Sequence, residues 1–251
     1  MAEEKSAKRR KRGAVVYTPI AVLLIGIILI FGISVFFRIA VIDVTGAKKY
    51  TADQILSASG IKMGDNLIFI DAKAVEANIG LNLPYLNEIV IEKIIPDTVS
   101  IKVTESQAIA VINYGGNWWI IDQKARVLEK TDDDGAAGKI NLSGIEPVSL
   151  VEGREIIVNE DQETKLRCLI DVLGAIFNAD ISKRVGTLDL SNIGNITFTY
   201  TDRFTVTMSG GEEAEYKLSL MQDVITKLEP DAIGKIKIDL SSEIKARFIP
   251  S

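Results

Sequence analysis

Ile89-Val90-Ile91-Glu92-Lys93-Ile94-Ile95-Pro96-Asp97-Thr98-Val99-Ser100-Ile101-Lys102-Val103-Thr104 reads as a β-hairpin. The return strand alternates apolar and polar residues strictly from Val99 to Thr104, the period that buries one face of a sheet. Ile95-Pro96-Asp97-Thr98 supplies the reversal, with proline suited to the second position of a type I turn. Upstream, Ile39 to Thr45 is β-branched and alternating, so it predicts a strand ended by Gly46. Thr51 then suits an N-cap, with Asp53 and Gln54 in the first turn of a helix that passes Ile55 and Leu56 and stops at Gly60. Gly64-Asp65-Asn66 is a turn, and Leu67 to Ile70 is a short apolar segment. Asp71 caps a second helix carrying Val75 and Ile79 and ending before Pro84. Residues 39–107 thus predict a β-α-α-β-β unit with two helices on one face of a small sheet.

Further upstream lies the longest apolar stretch of the chain. Gly13 to Phe37 is a 25-residue run without a charge. At about 1.5 Å per residue it spans roughly 37 Å as a helix, against roughly 30 Å for a bilayer's hydrocarbon core. Residues 13–38 are therefore expected to cross a membrane. Before them, residues 1–12 hold six Lys and Arg against Glu3 and Glu4, a cytoplasmic flank that leaves everything after Arg38 outside. A cleaved signal peptide is the competing reading. Its apolar core is normally about 7–15 residues long and is followed by a small-residue cleavage site. Here the run is longer and exits through Ser34-Val35-Phe36-Phe37-Arg38.

Downstream, residues 108–251 predict a second, mainly antiparallel α+β domain. Ile109 to Asn113 and Trp118 to Ile121 flank the hairpin signal Tyr114-Gly115-Gly116-Asn117, and Arg126-Val127-Leu128 follows another turn. Thr131 to Gly138 is an acidic, glycine-containing loop whose three aspartates read as solvated rather than as a cation site. The remainder carries a weak duplication. A helix from Asp161 to Asn178 precedes Leu188-Asp189-Leu190-Ser191, and a helix through Leu218, Met221 and Ile225 precedes Ile238-Asp239-Leu240-Ser241. Between them, Ile196–Tyr200 and Phe204–Met208 form a hairpin around Thr201-Asp202-Arg203. Two helix-strand units sharing one sheet bury both helices against the same face.

Composition narrows the chemistry. The chain has 29 Lys and Arg against 34 Asp and Glu, and the first twelve residues are basic, so the other 239 carry −9. An acidic exterior is a poor binder of nucleic acid. There is no histidine, which removes Ser-His and Cys-His pairs and nearly all zinc sites. Cys168 is the only cysteine, so the exterior part has no internal disulfide. Neither a phosphate-binding glycine loop nor EF-hand spacing is present. No catalytic, metal or cofactor-binding residue is expected.

The order of these motifs resembles the FtsQ/DivIB family of bacterial cell-division proteins. The resemblance is carried by Ile42-x-Val44-x-Gly46, Gly60, Gly64-Asp65-Asn66-Leu67, Pro84-Tyr85-Leu86 and Ile94-Ile95-Pro96-Asp97-Thr98-Val99-x-Ile101-x-Val103-x-Glu105, which looks like an FtsQ-type POTRA domain. Ile121-Asp122, Val127-Leu128, Gly144, Gly153, Tyr216-Lys217-Leu218, Gly234-x-Ile236-x-Ile238-Asp239-Leu240 and Phe248-x-Pro250 extend it to the end of the chain. Two departures stand out. Ser106 and Gln107 occupy places where the family usually has a base and then a proline, and a glycine common before the Val-Leu strand is replaced near Ala125-Arg126.

The resemblance implies a non-enzymatic scaffold of the division complex, enriched at the septum. Such proteins bind the bitopic FtsB/DivIC and FtsL proteins outside the membrane and help link ring assembly to the septal peptidoglycan synthase complex. The partner site is expected on Lys235, Ile236, Lys237, Ile238, Asp239 and Leu240, read as an edge strand, with Arg247 and Phe248 just beyond. The alternative is that Ile236, Ile238 and Leu240 are core positions and that residues 242–251 cover the edge.

Rival readings fare worse. A membrane-anchored Ser-Lys hydrolase of the signal-peptidase kind needs neither His nor Cys, but Arg38 to Lys49 contains no serine, and Lys102 alternates with buried Ile101 and Val103. An outer-membrane translocation component would need many amphipathic strands of roughly 10 residues. Trp118 and Trp119 as sugar platforms would face opposite sides of one strand.

Overall fold

The computed structural model describes residues 2–239 and 245–250. They fall into two compact units, residues 1–79 with 88–103, and residues 80–87 with 104–251. Helix α1 (Ala2–Phe36) carries the basic dozen and the apolar run on one rod. Within it Pro19–Phe36 has a mean hydropathy of 2.8 and is wholly exposed, long and apolar enough to cross a membrane.

The first unit continues with β1 (Val41–Thr45), α2 (Ala52–Ser59), a single 3-10 turn (Leu67–Phe69) and α3 (Ala72–Asn82). The hairpin β2 (Leu86–Ile94) and β3 (Thr98–Glu105) follows. The sheet order is β1-β3-β2, with β1 parallel to β3 and Val41 opposite Thr98. Val99, Ile101 and Val103 are buried, as are Ile55 of α2 and Val75 and Ile79 of α3.

Local chemistry explains the ends of these elements. Thr51 closes a capping box with Gln54, the side chain of each bonding the other's backbone N–H. Asp71 Oδ1 accepts from the backbone of Lys73 and Ala74. A side chain at Gly46 is impossible, because its Cβ would lie 1.9 Å from the carbonyl oxygen of Val103 and its φ is +95°. The Ile95–Pro96 peptide in the hairpin turn is cis, whereas the sequence suggested a type I turn.

The second unit is built on a nine-stranded sheet. Its strands are β4 (Ala110–Tyr114), β5 (Asn117–Ile121), β6 (Val127–Thr131), β7 (Ile140–Ser143), β10 (Val185–Asp189), β11 (Ile196–Tyr200), β12 (Phe204–Met208), β13 (Gly234–Asp239) and β14 (Lys245–Pro250). The order is β14-β13-β12-β11-β10-β7-β4-β5-β6. A separate pair, β8 (Pro147–Ser149) and β9 (Ile157–Val158), lies outside it. The acidic segment expected as a loop contains one helical turn, α4 (Asp133–Ala136), capped by Asp132 and tied to Trp118 Nε1 through Asp133. The long helices are α5 (Glu163–Asn178) and α6 (Ala214–Ile225).

The duplication is complete in three dimensions. β7-α5-β10-β11 and β12-α6-β13-β14 each comprise a parallel crossover followed by an antiparallel strand. Both crossovers step the same way along the sheet, so equal handedness puts both helices on one face, and α5 touches α6. Leu169, Val172, Leu173 and Ile176 of α5 are buried together with Leu218 and Met221 of α6, Phe198, Val206 and Ile236.

Candidate functional site

The strand expected to be the free edge is interior. β13 pairs with β12 on one side and with β14 on the other, where Ile236 faces Phe248 and Lys237 faces Arg247. Ile236 and Ile238 are buried core residues, while Lys235 and Lys237 are exposed. Leu240 lies outside the described residues. The expected edge therefore moves one strand outward, because Lys245–Pro250 has enough extended, alternating character to complete a ladder. Arg247 and Phe248 lie on that outermost strand.

One ring contact, itself backed by a cation, helps hold β14 in place. The Phe248 ring meets Phe204 edge to face at 6.1 Å, and the Arg203 guanidinium lies 4.9 Å from the centre of Phe204. Arg203 is fixed in turn by donating to the carbonyl of Ala232. Phe248 is therefore a half-buried anchor of the edge, not a free contact. Gly234 allows the approach, since a Cβ there would sit 2.3 Å from Ile249 O and 2.7 Å from the Phe248 ring.

Backbone alternation shows which groups of β14 face outward. The Gly234 N–H donates to Arg203 O, toward β12, so Lys235 and Lys237 turn their backbone groups to β14 and bond Ile249 and Arg247 across the pair. The intervening Ala246 and Phe248 point their N–H and C=O away from the sheet. Among the described residues no strand pairs with this outer side. The opposite edge, β6, is partly occupied: Val127 N donates to Arg154 O at 2.8 Å, Gly153 N donates to Val127 O at 2.9 Å, and Arg126 bridges Glu155. Lys235, Lys237, Lys245 and Arg247 give the β13–β14 face a largely basic row, with Asp239 opposite Lys245, in a chain of net charge −5.

Buried polar groups elsewhere serve the fold. Asp122 is fully buried and accepts from Ser106 Oγ at 2.8 Å and from the backbone of Lys124 and Arg126. Arg126 Nη2 donates to Pro84 O, Leu86 O and Ser106 Oγ. Both departures from the family pattern thus meet in one cluster within the second unit, with Arg126 bonded to Ser106. Lys217, buried in α6, donates to the backbone carbonyls of Ser209 at 2.5 Å and Glu212 at 2.6 Å. Burial holds its pKa below the ordinary lysine value, against the opposing pull of Glu213, Cys168 and Glu212. Lys217 meets the carbonyl of Ser209, not a serine hydroxyl, and Lys102 bonds Glu92 at 2.9 Å. Neither lysine forms the dyad of a hydrolase. The Cys168 thiol is pushed up to about 11, chiefly by burial and next by the Asp171 carboxylate.

One apolar rod, a β-α-α-β-β unit and an α+β unit with an open outer strand fit a single-span protein carrying a POTRA-type domain. Residues 37–106 match the family described as POTRA domain, FtsQ-type. The chain is 26% identical over 242 residues to the cell division protein DivIB of Clostridium botulinum, covering 96% of this chain and 91% of that relative. It is also 26% identical to the cell division protein FtsQ of a Geobacter species, over 82% of this chain and 74% of the relative. The FtsQ of Corynebacterium glutamicum is 25% identical over 76% and 79% of the two chains. The POTRA match and these relatives, which extend over most of the chain, support the FtsQ/DivIB family of cell-division proteins, and the apolar helix fits a single-pass membrane protein.

Proposed function

We propose that this chain is a non-enzymatic scaffold of the bacterial division complex, with its basic tail cytoplasmic and both folded units outside, enriched at the septum. It receives an extended segment of an FtsB/DivIC-like bitopic protein on the outer edge of β14, with an FtsL-like partner beside it. In this way it helps couple ring assembly to the septal peptidoglycan synthase complex. The observation that carries the reading is the outer side of β14, where Ala246 and Phe248 direct backbone donors and acceptors away from the sheet beside a basic row. An added strand would gain ladder hydrogen bonds there, and acidic side chains at alternate positions would complement Lys235, Lys237, Lys245 and Arg247. The occupied β6 edge offers fewer groups. Similarity to proteins named DivIB and FtsQ supports a division role in the same direction.

The test is a capture experiment from membranes using the full chain with an N-terminal tag. Ala246→Pro removes an outward N–H without taking a bond from the β13 ladder, and proline is tolerated on edge strands. Capture of the FtsB/DivIC-like protein should fall at least about tenfold, the effect of roughly 1.4 kcal/mol, while Ala246→Ser keeps it. A folded Ala246→Pro chain that captures the partner at wild-type level would overturn the assignment of the edge.

A further inference from the structure

The first residues after α1 are bonded to two loops of the POTRA unit. Leu67 N donates to Phe37 O at 2.8 Å, Ile39 N to Asp65 O at 2.8 Å, and Gly64 N to Ile39 O at 2.9 Å. On the other side, Ala40 N donates to Asp97 O at 2.8 Å, which fixes the tip of the β2–β3 hairpin beside the same exit. Lys93 Nζ ties the two loops together by donating to Ile68 O. Asn66 Nδ2 reaches back to Ile33 O at 2.9 Å. Ile33 lies inside the apolar run, about one helical turn before its end. These loops are therefore at the level of the last turn of the span, where the acyl region of a bilayer gives way to headgroups.

Their side chains suit that level. Outside α1, the large apolar residues of this unit that are half or more exposed are Met63 at 60%, Phe69 at 78%, Ile94 at 50% and Ile95 at 67%. Met63, Phe69 and Ile95 sit on these two loops and Ile94 ends β2 beside them, and none lies at the far end of the sheet. Four such residues on one edge form an apolar patch in water but lie naturally in a membrane interface. Arg38, Lys62 and Lys93 surround them, long enough to keep their charges among headgroups while their stems lie along apolar surface. The nearby carboxylates are engaged locally: Asp65 accepts from Lys62 N, and Asp97 accepts from the Thr98 hydroxyl. The mixed charge makes apolar insertion, rather than attraction to anionic lipid, the source of the contact.

We infer that the loops bearing Met63, Phe69, Ile94 and Ile95 seat the POTRA unit in the lipid interface of the leaflet that α1 leaves. The contact rests on α1 spanning a bilayer and is independent of the partner edge. Its effect is to fix the orientation of the unit on the membrane, because three chain segments then meet the lipid instead of one.

The test uses the full chain in nanodiscs, with a nitroxide placed on Phe69→Cys, Ile95→Cys or Asp53→Cys. Native Cys168 is buried, and the unsubstituted chain reports any background labelling. Asp53 lies in the first turn of α2, which follows the end of β1 away from the span, about 13 Å along the strand from Val41. Labels at 69 and 95 should show an oxygen-to-nickel-chelate collision ratio several-fold above that at 53, in discs of phosphatidylcholine alone and in discs with added phosphatidylglycerol. Equal, water-like ratios at all three positions would overturn the proposal. Immersion only with phosphatidylglycerol would also overturn it, by showing an electrostatic attachment. Circular dichroism matching the unsubstituted chain establishes that each labelled protein is folded.

Discussion

Cys168 illustrates how a single residue's setting determines its chemistry. It sits on the buried face of α5 at 6% exposure, and burial together with Asp171 pushes the thiol up to about 11. A raised native pKa favours the neutral thiol in the folded state, so its contribution is complete below the ordinary thiol range. It is lost as pH rises from there to about 11. A displacement of two pH units corresponds to roughly 2–3 kcal/mol. The melting difference between the wild-type chain and Cys168→Ala should therefore shrink between pH 8.5 and pH 11, and native Cys168 should resist alkylation at pH 8. A difference that stays constant across that range would show that the thiol is not held neutral by the fold. Sequence placed Cys168, the only cysteine, within the helix expected from Asp161 to Asn178. It did not reveal the Ser106–Asp122–Arg126 cluster, because Ser106 meets the Asp122–Arg126 turn only through the fold and no local period links them. Lys217 was quoted as a motif residue, but its burial among carbonyls depends on the path of the Ser209–Glu212 loop.

At the scale of elements, caps, turns and periodicity placed the strands and helices closely, including Thr51, Gly60, Asp71 and the hairpin from Ile89 to Thr104. The favoured reading of β13 as the edge failed, and its alternative, Ile236 and Ile238 as core positions with the edge covered from beyond, is what β14 realises. The duplication carried the missing signal: in the first repeat Asp189 is followed by an antiparallel strand starting at Ile196, and in the second Asp239 stands at the same distance, within a residue, from Lys245. Extending the repeat by one strand predicts β14 and moves the open edge to it. The close approach of that strand supplies a test. Gly234→Ala would place a methyl against Ile249 O and the Phe248 ring, and backbone atoms cannot move aside as a flexible side chain can. The expected cost is about 1–3 kcal/mol, concentrated at the edge. Amides of β14 should exchange with deuterium faster, while those of β10 and β11 stay protected. Unchanged protection of β14 would mean that this contact does not hold the strand.

For the whole molecule, the decisive physical fact is the asymmetry of charge about the apolar run. Six bases precede it within residues 1–12, against Arg38, Lys48 and Lys49 in the dozen residues that follow. By the positive-inside rule the flank richer in Lys and Arg favours the cytoplasm, which is the orientation proposed for residues 1–12, with residues 13–251 carrying −9. Basic residues on β13 and β14 do not disturb this assignment, because long folded segments translocate largely regardless of charge. On the proposed orientation the β14 edge would lie where extracytoplasmic segments of bitopic division proteins can reach it, and the loops proposed to meet lipid would lie on the outer leaflet. In cells stripped of wall, externally added protease should remove an epitope at the C-terminal end and spare one fused before Met1. Tm measurements on the isolated chain are insensitive to this arrangement, so the cleavage pattern is the deciding observation. A C-terminal epitope protected in intact cells and cleaved only after permeabilisation would reverse the topology. It would remove the edge from any extracytoplasmic partner, leaving the apolar loops to face the inner leaflet.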